Sequence, residues 1–130
     1  MFADLIVRIN QSYLEDYDLL TERKDKGSPF QIRKDVFMAA VAYGFSENKS
    51  KPVKNPHDLF RTSTFAIEDT VVLKALFLKK NKMEFGANYT DENVLNQAME
   101  WAEAGFKYLK LDTIQEQGSN FNCLMELVIN

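Results

Sequence analysis

The sequence predicts a mainly α-helical fold: a compact bundle of about four to five helices, with room for a small β element of two or three strands. Apolar residues recur at helical spacing in four separate stretches. The length of 130 residues suits one domain, residues 1–130. Sixteen aromatic side chains, ten of them Phe, provide enough apolar volume to fill a core.

The N-terminal part of the chain predicts a strand followed by a helix. Leu5 to Ile9 contains three β-branched residues, which are typical of a short strand. The pattern then changes to i, i+4, i+7 spacing at Tyr13, Tyr17 and Leu20, which indicates a helix with one buried face. Gly27 suits the position where this helix would end.

A second helix is predicted in the segment up to Gly44, and its start has two alternatives. Ser28 to Gln31 can form a capping box with Pro at the first helical position, or the helix can begin near Ile32. Gly44 suits the left-handed position just past a helix, so we expect the helix to end there. The apolar face comprises Val36, Phe37, Ala40, Val41 and Tyr43.

The next segment predicts an exposed loop and a strand. Ser46 to Asp58 carries two prolines, three lysines and few apolar residues, and it is longer than most connections between elements. Long loops of this kind often carry function. Leu59 to Phe65 has enough β-formers for a short strand.

Two more helices are predicted in the second half of the chain. In Ile67 to Lys80 the expected buried face is Val71, Ala75 and Leu78, widened by Val72 and Leu76. Thr90 can cap a longer helix from Asp91 to about Leu109. This helix has the strongest periodic signal in the chain, at Val94, Ala98, Trp101, Gly105 and Tyr108. The last 13 residues predict either a short helix or a strand that pairs with the N-terminal one.

These faces together define the expected core. It includes Val36, Phe37, Ala40, Val41, Leu76, Val94, Ala98, Trp101 and Tyr108.

Catalytic and metal-binding patterns are absent from the sequence. His57 is the only histidine, which excludes a metal site bridged by several histidines, and neither GxxxxGK[ST] nor GxGxxG occurs. Cys123 lies among apolar residues and is expected to be a small buried hydrophobe. Acidic pairs such as Glu100 and Glu103 are expected on solvated helix faces. We therefore expect a protein that is not an enzyme, with no catalytic residue, metal or cofactor.

Cysteine usage and hydropathy indicate the cellular compartment of the protein. Cys123 is the only cysteine, so an intrachain disulfide cannot form and a reducing compartment fits best. Asp4 and Arg8 interrupt the apolar N-terminal stretch, so an export signal is not expected. The longest uncharged run is far below the roughly 20 residues of a membrane span. The sequence predicts a cytoplasmic protein without a membrane partner.

Positive charge is concentrated in one part of this acidic chain. The net charge is −3, yet residues 22–61 hold nine Lys/Arg against five Asp/Glu, a local balance of +4. Lys49, Lys51, Lys54 and Arg61 are the predicted partner- or nucleic-acid-binding residues. A solvated lysine loop is the simpler interpretation of this charge.

One segment of the sequence resembles a known family. The positions concerned are Pro29-Phe30, Lys34-Asp35-Val36-Phe37, Ala40, Gly44-Phe45, Lys51-Pro52 and, more faintly, Phe60-Arg61. In these positions the chain is similar to the small proteins grouped as Dnd system-associated protein 4, which are encoded beside bacterial DNA phosphorothioation genes. The similarity covers about a third of the chain and departs from the family pattern at Ile32, where a capping Thr is expected.

The resemblance implies a function for the lysine-bearing loop. It implies a non-enzymatic accessory subunit of a bacterial DNA-modification or antiphage defence system, docking to a larger protein subunit such as an ATPase or nuclease. A rigid helix end would then present the charged loop to an acidic partner. The alternative is a nucleic-acid-binding accessory protein that makes weak contact through the same lysines. The sequence leaves the oligomeric state open.

Overall fold

The computed structural model of the protein describes residues 2–22, 30, 32–82 and 86–113. The fold is mainly α with a small antiparallel sheet of two strands, as predicted, and these ranges contain four α-helices. Short 3₁₀ turns precede the first helix and follow the second strand. The elements are β1 (Ile6–Asn10), α1 (Leu14–Glu22), α2 (Arg33–Ser46), β2 (Pro56–Arg61), α3 (Ile67–Lys80) and α4 (Asp91–Thr113).

The strands β1 and β2 pair in antiparallel register. Ile6 lies opposite Arg61 at one end and Asn10 lies opposite Pro56 at the other. A register shift between Val7 and Arg8 leaves Leu59 as an extra, buried residue of β2. The strand therefore begins at Pro56, earlier than predicted, because β1 supplies hydrogen-bonding partners from there.

The predicted strand also ends too late. After Arg61 the backbone turns into a 3₁₀ segment, Thr62–Thr64. The Thr62 hydroxyl donates to the Ala3 carbonyl at 2.8 Å and accepts from the Leu5 N–H at 3.0 Å. These side-chain bonds replace the strand ladder, so β propensity alone did not locate the end of the strand.

The start of α2 follows the second of the two alternatives. The helix begins at Arg33, and Ile32 precedes it in an extended conformation without a side-chain cap. Residues 28, 29 and 31 of the alternative capping box lie outside the described residues. So do Gly27, Cys123 and the C-terminal segment of undecided structure.

The helices α2 and α4 form the centre of the core. The predictions for both buried faces are largely confirmed: Val36, Phe37, Ala40, Val41, Val94, Ala98 and Trp101 are at most 2% exposed. Leu76 is half-buried and packs against the core, whereas Tyr108 is half-buried without packing against it, so the prediction that Tyr108 belongs to the core was wrong. On α1, Tyr17 and Leu20 are buried as predicted, and Tyr13 packs against the core from the 3₁₀ turn before α1.

The prediction that Gly44 ends α2 was wrong. The helix continues to Ser46, and the left-handed residue beyond it is Asn48, with φ of 55°. A Cβ at Gly44 would lie 2.1 Å from the Trp101 carbonyl oxygen, and one at Gly105 would lie 2.0 Å from the Ala40 carbonyl oxygen. The two glycines therefore permit backbone contact between α2 and α4, which no larger residue allows.

The start of α4 is capped as predicted. The Asn93 N–H donates to Thr90 Oγ1 at 3.1 Å. The helix runs to Thr113, past the predicted end near Leu109. None of the described helices combines the length and the apolar character that crossing a membrane requires.

The buried face of α3 differs from the prediction. Thr70, Leu73, Phe77 and Leu78 are buried, whereas Val71 is 58% and Val72 45% exposed. Ala75 is exposed as well. Apolar residues surround most of this helix, so periodicity could not select the face that packs. The packing partner, α4, selected the face that carries Leu73 and Phe77.

Candidate functional site

The segment between α2 and β2, residues 47–55, is termed the lysine loop. Its backbone is bonded to three separate elements. The Lys49 N–H donates to the Gly44 carbonyl of α2 at 2.9 Å, and the Lys51 N–H donates to the Glu100 carbonyl of α4 at 3.2 Å. At the far end, the Gln11 N–H donates to the Asn55 carbonyl at 3.0 Å. The loop is thus held at three points, by α2, by α4 and by the 3₁₀ turn that follows β1.

Asparagines make the two sharp turns of this loop. Asn48 and Asn55 have φ of 55° and 46°, in the left-handed region that Asn tolerates better than most residues. The Asn48 N–H also donates to the Phe45 carbonyl at 3.0 Å. The turns direct the chain from the end of α2 past α4 and into β2, which pairs with β1.

The three predicted lysines of the loop are exposed. Lys49, Lys51 and Lys54 all have exposed side chains. Within the part of the chain that the structure describes, none of the three takes part in an ion pair or a side-chain hydrogen bond. Glu47 is the one acidic residue of the loop. The loop therefore presents a local positive charge on a backbone of defined shape.

A further lysine lies beside Trp101 of α4. Lys80, at the end of α3, places its Nζ 5.8 Å from the centre of the Trp101 ring. Phe45 contacts the same ring edge-on at 5.3 Å, and Glu100, which bonds the loop backbone, precedes Trp101. Sequence analysis missed Lys80 because it lies 26 positions after Lys54, and only the packing of α3 on α4 brings it to this turn of α4.

Arg61, the fourth predicted residue, lies elsewhere. It stands opposite Ile6 at the end of β2 away from the loop, about 17 Å from Pro56 if each strand step is about 3.4 Å. Its guanidinium donates to both carboxylate oxygens of Asp4, at 3.0 and 2.8 Å. These bonds lower the pKa of Asp4 and raise the pKa of Arg61. Asp4 thus balances the charge that Arg61 would contribute to a binding surface.

His57 is not a loop residue. It lies in β2, paired with Ile9, and is half-buried. Its neighbour Asp58 accepts from Arg8 Nε across the sheet at 2.8 Å. The predicted exposed loop, Ser46 to Asp58, included His57; it ends earlier than predicted because β2 begins at Pro56, one residue before His57.

A groove opens between the N-terminal segment and α3. Its volume is about 570 Å³. Phe2, Phe65, Ile67 and Val71 provide apolar lining, and Arg61 and Lys74 contribute cations. This groove was not predicted, since it depends on which face of α3 packs inward.

Glu103 contradicts the expectation of a solvated helix face. It is 3% exposed, and its Oε2 accepts from Asn10 Nδ2 at 3.1 Å. Its Oε1 has no hydrogen-bond partner among the described residues. Burial, and second the charge of Glu103, raise the pKa of both Tyr13 and Tyr17.

These groups form a closed polar cluster between β1, α1 and α4. Both tyrosine rings pack on Phe106, at 4.7 and 5.0 Å between ring centres. A substrate cannot reach a carboxyl group enclosed in this way. Among the described residues, no group of three or more His, Cys, Asp or Glu side chains is arranged to hold a metal ion. On the described part of the chain, the lysine loop carries exposed positive charge and the outward side of α3 carries exposed apolar side chains.

Comparisons with known proteins identify no relative of the chain. The chain matches no protein-family model, no curated protein and no solved structure.

Proposed function

We propose that the protein is a non-enzymatic interaction subunit that docks to a larger protein through the lysine loop. The observation that carries this proposal is the set of three exposed lysines, without ion pairs among the described residues, on a loop bonded to α2, α4 and the 3₁₀ turn after β1. A loop held in this way loses little conformational freedom on binding, which favours association. The surface it recognises is acidic.

The same proposal extends to the biological setting. We infer that the larger partner is a subunit of a bacterial DNA-modification or antiphage defence system and that the interaction takes place in the cytoplasm. The support is the resemblance in residues 29–61, which includes Lys51-Pro52 of the loop itself. The protein would then contribute binding and positioning, and its larger partner would supply the chemistry.

The experiment begins with co-purification of the native protein and identification of its partner. Association rates of the purified pair are then measured for the wild type and for the triple variant Lys49→Glu, Lys51→Glu, Lys54→Glu. Charges at the rim of an interface act mainly on association rate and salt dependence. We expect the triple Glu variant to associate about tenfold more slowly at low salt, with an unchanged far-ultraviolet circular dichroism spectrum.

The matched control replaces the same three lysines with Arg. It keeps the charge and changes the head group, so its association rate should stay close to that of the wild type. If the Glu variant associated at the wild-type rate, the lysine loop would be only a solvated connection. If the Arg variant slowed as much as the Glu variant, charge would not be the cause.

A second candidate function is weak binding of nucleic acid by the same lysines. The observation in its favour is that Lys80 contacts Trp101, the residue after Glu100, whose carbonyl binds the loop, and Lys80 could add a fourth cation. Three phosphate contacts on duplex DNA would give a slope of about −2.7 in log K against log salt concentration. Fluorescence anisotropy with a duplex measures this slope. A steep slope that the triple Glu variant abolishes would favour this candidate over protein docking.

A further inference from the structure

The outward face of α3 is apolar and uncovered within the described part of the chain. Ile67 is 74% exposed, Val71 58% and Val72 45%, and Ala75 is exposed between the last two turns. These residues follow one another along the helix as a single strip. Its opposite face, with Leu73 and Phe77, packs against the core.

Opposite charges flank this apolar strip. Glu68 lies in the first turn of α3 and Lys79 in the last, and both are exposed. Neither makes an ion pair with a described residue. The sequence Glu68, Val72, Ala75, Lys79 follows i, i+4, i+7, i+11 spacing, so the four side chains share one face.

This face is complementary to itself when a second copy is reversed. With the midpoint between residues 73 and 74 placed on a two-fold axis, Glu68 of one copy lies level with Lys79 of the other. Val72 then lies level with Ala75 of the other copy. Thr70 of one copy lies level with Phe77 of the other. Both side chains are buried in their own protomer, so they stay out of the contact.

We propose that α3 is the contact through which two copies of this chain associate as an antiparallel, two-fold symmetric dimer. The contact is isologous, so both ion pairs form at once. Ala75 at the centre allows the two helix backbones to approach closely. In a parallel arrangement Glu68 would face Glu68 and Lys79 would face Lys79, so the charges select the antiparallel one.

The size of the surface sets the strength of this association. A helix of 14 residues is about 21 Å long, and a strip about 10 Å wide along it covers about 200 Å². Stable interfaces bury about 800 Å² per partner. The adjoining groove, which shares Ile67 and Val71, adds apolar area beside the strip. The dimer is therefore a reversible one that forms as protein concentration rises.

Sedimentation velocity of the full chain across a concentration series tests the proposal. The variants are Glu68→Lys, Lys79→Glu and the double swap. Each single change turns two attractive pairs into two repulsive ones, and we expect the dimer dissociation constant to rise about tenfold. The double swap restores opposite charges and should return the constant close to the wild-type value.

The control is Glu92→Lys, which makes the same charge change in the first turn of α4. It has the same unfavourable effect on a helix dipole but lies outside the proposed contact, so dimerisation should not change. Circular dichroism verifies that every variant stays folded. Within one helix, positions 68 and 79 are about 16 Å apart, so rescue by the double swap reports contact between copies.

Two results would overturn the proposal. The first is a wild-type chain that stays monomeric at every concentration, as expected if residues 114–130 or a different protein cover the face. The second is a dimer that responds equally to the single and double variants, which would place the contact elsewhere on the molecule.

Discussion

Replacing Gly44 with Ala should destabilise the protein although it removes a glycine from a helix. In a helix interior this exchange normally stabilises by about 1 kcal/mol, because Ala loses less backbone entropy on folding. Here the new Cβ would lie 2.1 Å from the carbonyl oxygen, 2.7 Å from the carbonyl carbon and 2.9 Å from the Cα of Trp101. All three are backbone atoms, so no side chain can rotate away.

The size of the effect follows from the required movement. An ordinary contact begins near 3.4 Å, so α2 and α4 must separate by more than 1 Å at this point. Their shared face includes fully buried Val41 and Ala98, whose dispersion contacts weaken steeply with distance. Overpacking of this kind costs about 3 kcal/mol. The higher helix propensity of Ala offsets part of this cost. We therefore expect the free energy of unfolding to fall by about 2 kcal/mol and the Tm by about 8 °C.

Thermal and urea unfolding of Gly44→Ala, followed by circular dichroism, measure this loss. Gly105→Ala should behave alike, because its Cβ would lie 2.0 Å from the Ala40 carbonyl oxygen. Gly86→Ala is the control: nothing lies within 4 Å of its Cβ, so the change should stay below about 1 kcal/mol. A Gly44→Ala variant with a Tm equal to or above that of the wild type would refute backbone contact between the two helices.

Two further predictions concern stability. Trp101→Ala should lower the free energy of unfolding by about 3–5 kcal/mol in urea titrations, because the ring is 2% exposed; an unchanged stability would mean that α4 turns this stripe outward. Lys34 donates to Asp69 at 2.8 Å, and this bond raises the pKa of Lys34 above 10.5. The stabilisation by this bond is therefore present below pH 10.5 and is lost as the pH rises through the folded-state pKa of Lys34. We expect the difference in free energy of unfolding between wild type and Lys34→Gln to shrink in that pH range. A difference that stays constant with pH would contradict the assignment.

The sequence by itself determined the elements whose signals are local. The stripe of α4 and the face of α2 repeat at helical spacing over several turns, and Thr90 caps α4 with its own side chain. The mainly α fold follows from these elements. The clustering of the loop lysines was also visible, because they lie within six consecutive residues, 49–54.

The tertiary structure alone decided how those elements face one another. A glycine such as Gly44 suits both the end of a helix and a close contact between two helices. Only the position of Trp101 on the neighbouring helix shows that Gly44 serves the contact. The helix α3 has apolar residues on several sides, so the element that packs against it determines which side is buried.

Charged side chains depended on the tertiary structure in the same way. Glu103 became a buried residue because Asn10 supplies a hydrogen bond from 93 positions away. Arg61 was separated from the lysine loop because Asp4, 57 positions earlier, pairs with it at the other end of the sheet. In each case the deciding interaction joins residues far apart in the chain, and spacing within one segment carries no information about such a contact.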